Sequence, residues 1–168
     1  MPRLGTKSLA PNGELIICSL LILKNLLNVK NMYPPHLVAP MSKDLTDFGF
    51  EGLTTPEEVS QVLDQKEGTV LLVVNSVCGC AAANARPAAK IAMQHAKVPT
   101  KATTVFAGVN KEATETAREY LLPYPPSSPS IALFKEGKLV HFIERHHIEG
   151  RSAQMIAQNL VMAFDHYC

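Results

Sequence analysis

Apolar and polar positions along this chain fall into runs whose period changes several times. Thr69-Val70-Leu71-Leu72-Val73-Val74-Asn75 is β-branched and apolar without a break, the pattern of a strand covered on both faces. Thr103 to Val109 reads as a second strand. Ser130 to Lys135 and Lys138 to Ile143 are the arms of a hairpin around Glu136-Gly137. Helical signals lie between these strands. Thr55-Pro56-Glu57-Glu58 is a capping box with proline at the first helical position, and it predicts a helix to about Lys66, released by Gly68. The alanine-rich stretch from Ala81 to Met93 predicts another helix, kinked where Pro87 lacks a hydrogen-bond donor. Glu112 to Leu122 predicts a third, stopped by Pro123. Gly150-Arg151-Ser152 opens an amphipathic helix that runs to about Tyr167.

The order is helix, then βαβ, then helix, hairpin and helix. A parallel pair extended by a hairpin predicts an α/β fold, a four-stranded mixed sheet with helices on both faces. That order is the thioredoxin topology. Pro34, Pro35 and Pro40 read as a rigid lead-in to the domain, which is expected to span residues 32–168. The first 31 residues differ. Leu15 to Leu23 is an apolar run that includes Cys18, but Lys24-Asn25-Leu26-Leu27-Asn28 follows it, with no small-x-small cleavage site. The run is also shorter than the ~20 residues that a membrane-spanning helix needs. Residues 1–31 are therefore expected to be an extension in front of the domain.

Composition narrows the function classes. The 168 residues are 46% apolar and 18% charged with a net charge of +1, which fits one ordinary globular domain. No Lys/Arg run or aromatic-rich surface suggests nucleic acid, and nothing suggests an anionic membrane as partner. The chain has four cysteines: Cys18, Cys78, Cys80 and Cys168. So few in a chain of this length do not form a secreted disulfide framework. A cytoplasmic protein is expected, in which two cysteines one residue apart serve catalysis or a metal rather than structure.

Asn75-Ser76-Val77-Cys78-Gly79-Cys80 is where that chemistry concentrates. Thiol–disulfide exchange needs a thiolate, and free cysteine is mostly protonated at neutral pH. A sulfur placed where a buried strand ends and a helix begins is favoured as the anion by unpaired backbone N–H groups and the helix dipole. The crevice outside strand carboxyl ends is also where open α/β sheets bind ligands. In a helix, residues two apart diverge by about 200°, so a Cys78–Cys80 disulfide requires distorted backbone, and Gly79 supplies that freedom. Such a bond is expected to be strained and easily reduced. Cys78, at or before the first helical position, is the expected nucleophile, and Cys80 the resolving thiol. The alternative from another class is a metal- or iron–sulfur-binding carrier using the same pair.

Pro129 is the second feature. It follows Ser127-Ser128 and precedes a strand, the place where thioredoxin-like folds carry a cis-proline facing the active site. A cis bond here is expected, leaving the backbone at Ser128 to pair with a bound substrate chain. With these segments on view the chain resembles the bacilliredoxin family. The likeness rests on Met32-Tyr33-Pro34-Pro35, Leu37 to Met41, Asn75 to Cys80, Ala85-Arg86-Pro87, Pro125 to Ser130, and Phe142 to His146. It runs from Met32 to Cys168. The resemblance implies a thioredoxin-like fold and removal of bacillithiol, a low-molecular-weight thiol, from S-thiolated client proteins. Weak disulfide isomerase activity fits as well. By the same resemblance Cys78 matches the attacking cysteine and Cys80 its partner, with no cofactor required.

Other residues are weighed against these. Arg86, a turn or two past the cysteines, is a candidate for supporting the thiolate or receiving an anionic thiol, against the plainer reading of a solvated helix face. His146-His147 together with the cysteines lack the paired spacing of zinc ligands, so no metal is assigned and surface histidines are expected. Taken as strand neighbours, the two histidines point to opposite faces. Cys168 reads as a mobile terminal spectator. All capping and core signals lie after residue 31. A protein beginning at Met32 is therefore expected to unfold cooperatively and retain full activity. Calorimetry and turnover check this, and a broadened transition would show that the extension belongs to the fold.

Overall fold

A computed structural model describes residues 33–168, and the expected extension lies outside the described residues. Pro34 caps helix α1 (Pro35–Thr46), with Pro35 in its first turn. The proline-rich lead-in is thus helical, which corrects the expected rigid segment. Proline is preorganised for the first helical turn. Pro40, farther in, removes one N–H, and the carbonyl of His36 that this N–H would have met belongs to an exposed residue. Strand β1 (Glu51–Gly52) follows, then helix α2 (Pro56–Leu63). The capping box reads as expected: Glu58 N–H donates to Thr55 Oγ1 at 3.2 Å, and Thr55 N–H to Glu58 Oε2 at 3.1 Å.

Strand β2 (Thr69–Asn75) is buried at every residue. After the cysteines the chain makes a π-helical turn over Ala81–Ala85 and continues as α3 (Arg86–Ala92). The expected kink at Pro87 is met this way: the helix widens ahead of the proline, which then sits in the first turn of α3, where no donor is needed. Strand β3 (Lys101–Phe106) begins and ends earlier than the apolar pattern suggested, since Ala107 and Gly108 turn into helix α4 (Lys111–Glu119). Strands β4 (Ser130–Lys135) and β5 (Lys138–Ile143) form the hairpin. Glu136 (φ 52°) and Gly137 (φ 77°) are both left-handed, the geometry that lets a two-residue turn follow the twist of its strands. The short helix α5 (Arg145–Ile148) and the long α6 (Ala153–Tyr167) complete the chain.

The sheet order is β1-β3-β2-β4-β5. β1 and β2 run parallel to β3, β4 is antiparallel to β2, and β5 to β4. There are five strands rather than the expected four. The added one, β1, pairs Glu51 and Gly52 with Thr103 and Thr104, and two residues are too few to carry an alternating signal. Neighbouring residues of β2 feed two cores. Leu71 and Val73 pack with Ala85, Ala88, Ala89, Leu160 and Phe164 on one face. Val70, Leu72 and Val74 pack with Val59, Val62, Ala113 and Ala117 on the other. The alanines of α3 let it lie close to α6. Among the described residues no helix is long and apolar enough to cross a membrane.

Phe164 is fully buried where α6 meets this sheet face. Phe164→Ala is expected to cost about 3–5 kcal/mol through lost contact and the cavity left behind. A lowered urea midpoint at unchanged slope checks it.

Candidate active site at the end of the central strand

The site begins where β2 runs out of sheet. Asn75 is buried and bonded at both ends of its amide: Oδ1 accepts from Ser76 N–H at 2.9 Å and from Arg86 Nη1 at 3.1 Å, while Nδ2 donates to the Met41 carbonyl at 3.1 Å. Arg86 also donates through Nε to Asp44 Oδ2 at 2.7 Å and through Nη1 to the Ser76 carbonyl at 3.4 Å. Lys90 completes the cluster on Asp44. Burial works against the Asp44 anion, but hydrogen bonds from Lys90 and Arg86 outweigh it and hold the carboxyl below its ordinary range. Arg86 is 6% exposed, so the solvated helix face is corrected. It acts from behind, as a positioning residue for the loop that carries the thiols.

That loop brings two donors to one sulfur. Ser76 Oγ donates to Cys78 Sγ at 3.2 Å, and Ala81 N–H to the same sulfur at 3.4 Å, with the Cys80 thiol close by. Both cysteines are free thiols, partly buried. Burial disfavours the Cys78 anion, but the neighbouring Cys80 thiol, the hydrogen bonds from Ser76 and Ala81 and the charge of Arg145 prevail and lower its pKa. Cys80 moves the other way. Burial raises it, as do the neighbouring Cys78 sulfur and the negative charge there, with only Arg145 working against them among the larger influences. The helix start therefore contributes one N–H, and side chains supply the rest. Gly79 has no φ in the left-handed region, and a Cβ there would meet nothing within 4 Å, so the dithiol state places no demand for glycine at 79.

The Ser128–Pro129 peptide is cis, as expected. The Ser128 carbonyl is not open, however. It accepts from Arg145 Nη1 at 3.2 Å, and Ser127 Oγ accepts from Arg145 N–H at 2.7 Å. Arg145 thus joins the proline loop to the thiol pair. Ser76, Asn75, Asp44 and Arg145 were not singled out from the sequence. Ser76 stood within the motif, two residues before Cys78. Asn75 stood one residue earlier in the same motif, whereas Asp44 and Arg145 reach the site from other elements, with no spacing to reveal them.

His146 and His147 lie on α5 rather than on a strand, with ring centroids 3.8 Å apart, which corrects the opposite-face expectation. Among the described residues, Glu144, His146 and His147 form the one group of three with ligand-capable atoms mutually within 4.8 Å, and neither cysteine belongs to it. Glu144 N–H donates to His147 Nδ1 at 3.3 Å and the Glu144 carbonyl accepts from His147 N–H at 3.0 Å, which accounts for their closeness. Cys168 is exposed, and its N–H bonds to the Phe164 carbonyl at 2.9 Å.

Residues 33–168 match the family model described as disulphide isomerase. A bacilliredoxin of Cytophaga hutchinsonii is 60% identical over 134 residues, covering 80% of this chain and 98% of that one. The chain belongs to the bacilliredoxin family. A second bacilliredoxin, from Halalkalibacterium halodurans, is 54% identical over 136 residues, covering 81% of this chain and 94% of that one. A solved structure described as having a thioredoxin fold aligns with a TM-score of 0.50 at 16% identity, covering 64% of this chain and 90% of that one, which bears on the fold alone. Fold and membership give this bacilliredoxin a thiol–disulfide redox role.

The reactivity of Cys78 is expected to rise with pH about a midpoint below the value for free cysteine, near 8.5. In a Cys80→Ser background, Ser76→Ala removes a donor to the anion, so the midpoint should move up and alkylation at neutral pH should slow by about tenfold. Iodoacetamide rates across pH check both. A midpoint at or above the free value would overturn the assignment.

Proposed function

We propose that this protein removes a low-molecular-weight thiol such as bacillithiol from S-thiolated client proteins, with Cys78 as nucleophile and Cys80 as resolving thiol. The observation that carries the reading is the unequal setting of the two thiols: Cys78 Sγ accepts from Ser76 Oγ and Ala81 N–H, which pulls its pKa below the ordinary thiol value, while that of Cys80 is pushed above it. A nucleophile that ionises more readily beside a thiol that ionises less readily is what two-step exchange requires.

In the first step the Cys78 thiolate attacks the adduct sulfur. A Cys78–adduct disulfide forms, the original disulfide breaks, and the client leaves as a thiolate that takes a proton from water. That exchange removes the negative charge from Cys78 and with it one of the influences that keep Cys80 protonated. Cys80 then loses its proton and attacks Cys78, expelling the adduct thiol and closing the Cys78–Cys80 disulfide. The reaction needs no cofactor, and a cellular thiol reductant returns the pair to the dithiol. The same cycle gives weak disulfide isomerase activity. This reading sets the protein in a reducing cytoplasm.

The two cysteines should separate by mass. Cys78→Ser should transfer nothing, since a hydroxyl is not ionised at neutral pH. Cys80→Ser should accept the adduct and retain it, for want of a neighbouring thiol to release it. Intact-mass spectrometry after mixing each variant with a bacillithiolated or glutathionylated client reads the outcome. An adduct held by Cys78→Ser and absent from Cys80→Ser would reverse the roles. An adduct on neither would favour the metal-carrier alternative.

A further inference from the structure

Two arginines meet at this site, and only one faces solvent. Arg86 is buried and bonded to Asp44, Asn75 and the Ser76 carbonyl. Arg145 keeps 48% of its side chain exposed. It is nevertheless held in place. Nε donates to Glu149 Oε1 at 2.6 Å, Nη1 to the Ser128 carbonyl at 3.2 Å, and its backbone N–H to Ser127 Oγ at 2.7 Å.

A surface arginine ordinarily loses much of its binding energy to the entropy of fixing a long side chain. Here that ordering is done in advance by Glu149 and the proline loop. A guanidinium carries five N–H groups. Among the described residues, Glu149 and Ser128 take one each, and the remainder of the fork has no protein acceptor. The charge lies near enough to influence both Cys78 and Cys80. A planar, preordered, half-exposed fork beside a reactive sulfur is suited to a carboxylate, which it can grip through two parallel hydrogen bonds.

We propose that Arg145 is the receptor for a carboxylate of the low-molecular-weight thiol, so that the preferred substrates are mixed disulfides whose small partner is anionic. This rests on the exchange reading given above and adds what the small partner must carry. With its carboxylate on Arg145, the adduct presents its own sulfur to Cys78 and leaves the client sulfur outermost. The thiolate then forms its bond to the adduct sulfur as the client sulfur departs with the electron pair. The opposite choice would put the client on Cys78 and release the small thiol first. Arg145 therefore selects which sulfur is attacked as well as which thiol is accepted. Glu149 takes Nε and the Ser128 carbonyl one N–H of Nη1, which leaves the second N–H of Nη1 and both of Nη2 to the ligand.

The test uses the full, pre-reduced chain in single turnover against one client peptide carrying three different adducts. Glutathione supplies an anionic partner, 2-mercaptoethanol a neutral one and cysteamine a cationic one. Arg145→Gln is expected to slow removal of glutathione by about tenfold or more, the scale of a charge-assisted carboxylate contact. Removal of 2-mercaptoethanol should change by less than about threefold, and cysteamine should gain on glutathione. Arg145→Lys, which keeps the charge but loses the fork, should fall between. Equal slowing with all three adducts would mean that Arg145 acts on the thiols alone, and would overturn the proposal. So would no slowing with any of them. If the unmodified protein removes none of the three adducts, the exchange reading itself falls, and the receptor with it.

Discussion

The geometry of the reactive end depends on an arginine taken out of water at the tip of the central strand. A buried guanidinium is tolerated only when its charge and its donors are met, and removing one partner of such a group costs far more than an exposed pair is worth. Arg86 satisfies this with Asp44 on α1, Asn75 at the end of β2 and the carbonyl of Ser76. Three elements are thereby pinned to one point. Because Ser76 is among the groups held, its hydroxyl has a fixed bearing on Cys78, and the thiolate environment is built before any substrate arrives. The network does no chemistry. It decides where the chemistry can stand.

Above that anchor the two sulfurs differ although they share a loop and a similar burial. Cys78 collects donors from Ser76 and Ala81, while Cys80 faces the negative charges of Cys78 and Glu149. One residue of separation is enough to divide them, because hydrogen bonds act through direction and distance rather than through shared surroundings. A helix terminus alone would have favoured both sulfurs, and side-chain donors break that symmetry.

Much of the fold was legible from pattern. The long apolar run of β2, the capping box before α2 and the Glu136-Gly137 turn are local signals, each decided by neighbours within a few residues. The cysteine motif and the proline at 129 were legible for the same reason. The misses also share a cause. α1 was hidden because prolines at a helix start look like prolines in a rigid coil, and β1 because two residues show no period. For Arg86 the sequence leaves a site role and a solvated face both open, since nothing within its own helix reveals an aspartate 42 positions away. Arg145 was noticed only as part of a resembling segment. Its partners, Ser127 and Ser128, reach it through tertiary packing.

The wide turn over Ala81–Ala85 has a consequence for angular phase. A π turn accommodates one residue more than an α-helical turn, so everything after it is rotated by about 100° relative to an uninterrupted α-helix starting at the cysteines. Upstream of this break the helix start holds Cys78 against Ser76 Oγ and Ala81 N–H. Downstream, Ala88, Ala89 and Ala92 face the core, and Arg86 turns inward toward the strand end. One continuous rod could not satisfy both bearings with this sequence. The inserted residue works as a universal joint, allowing the aim of the reactive groups and the packing of the helix to be set independently of each other.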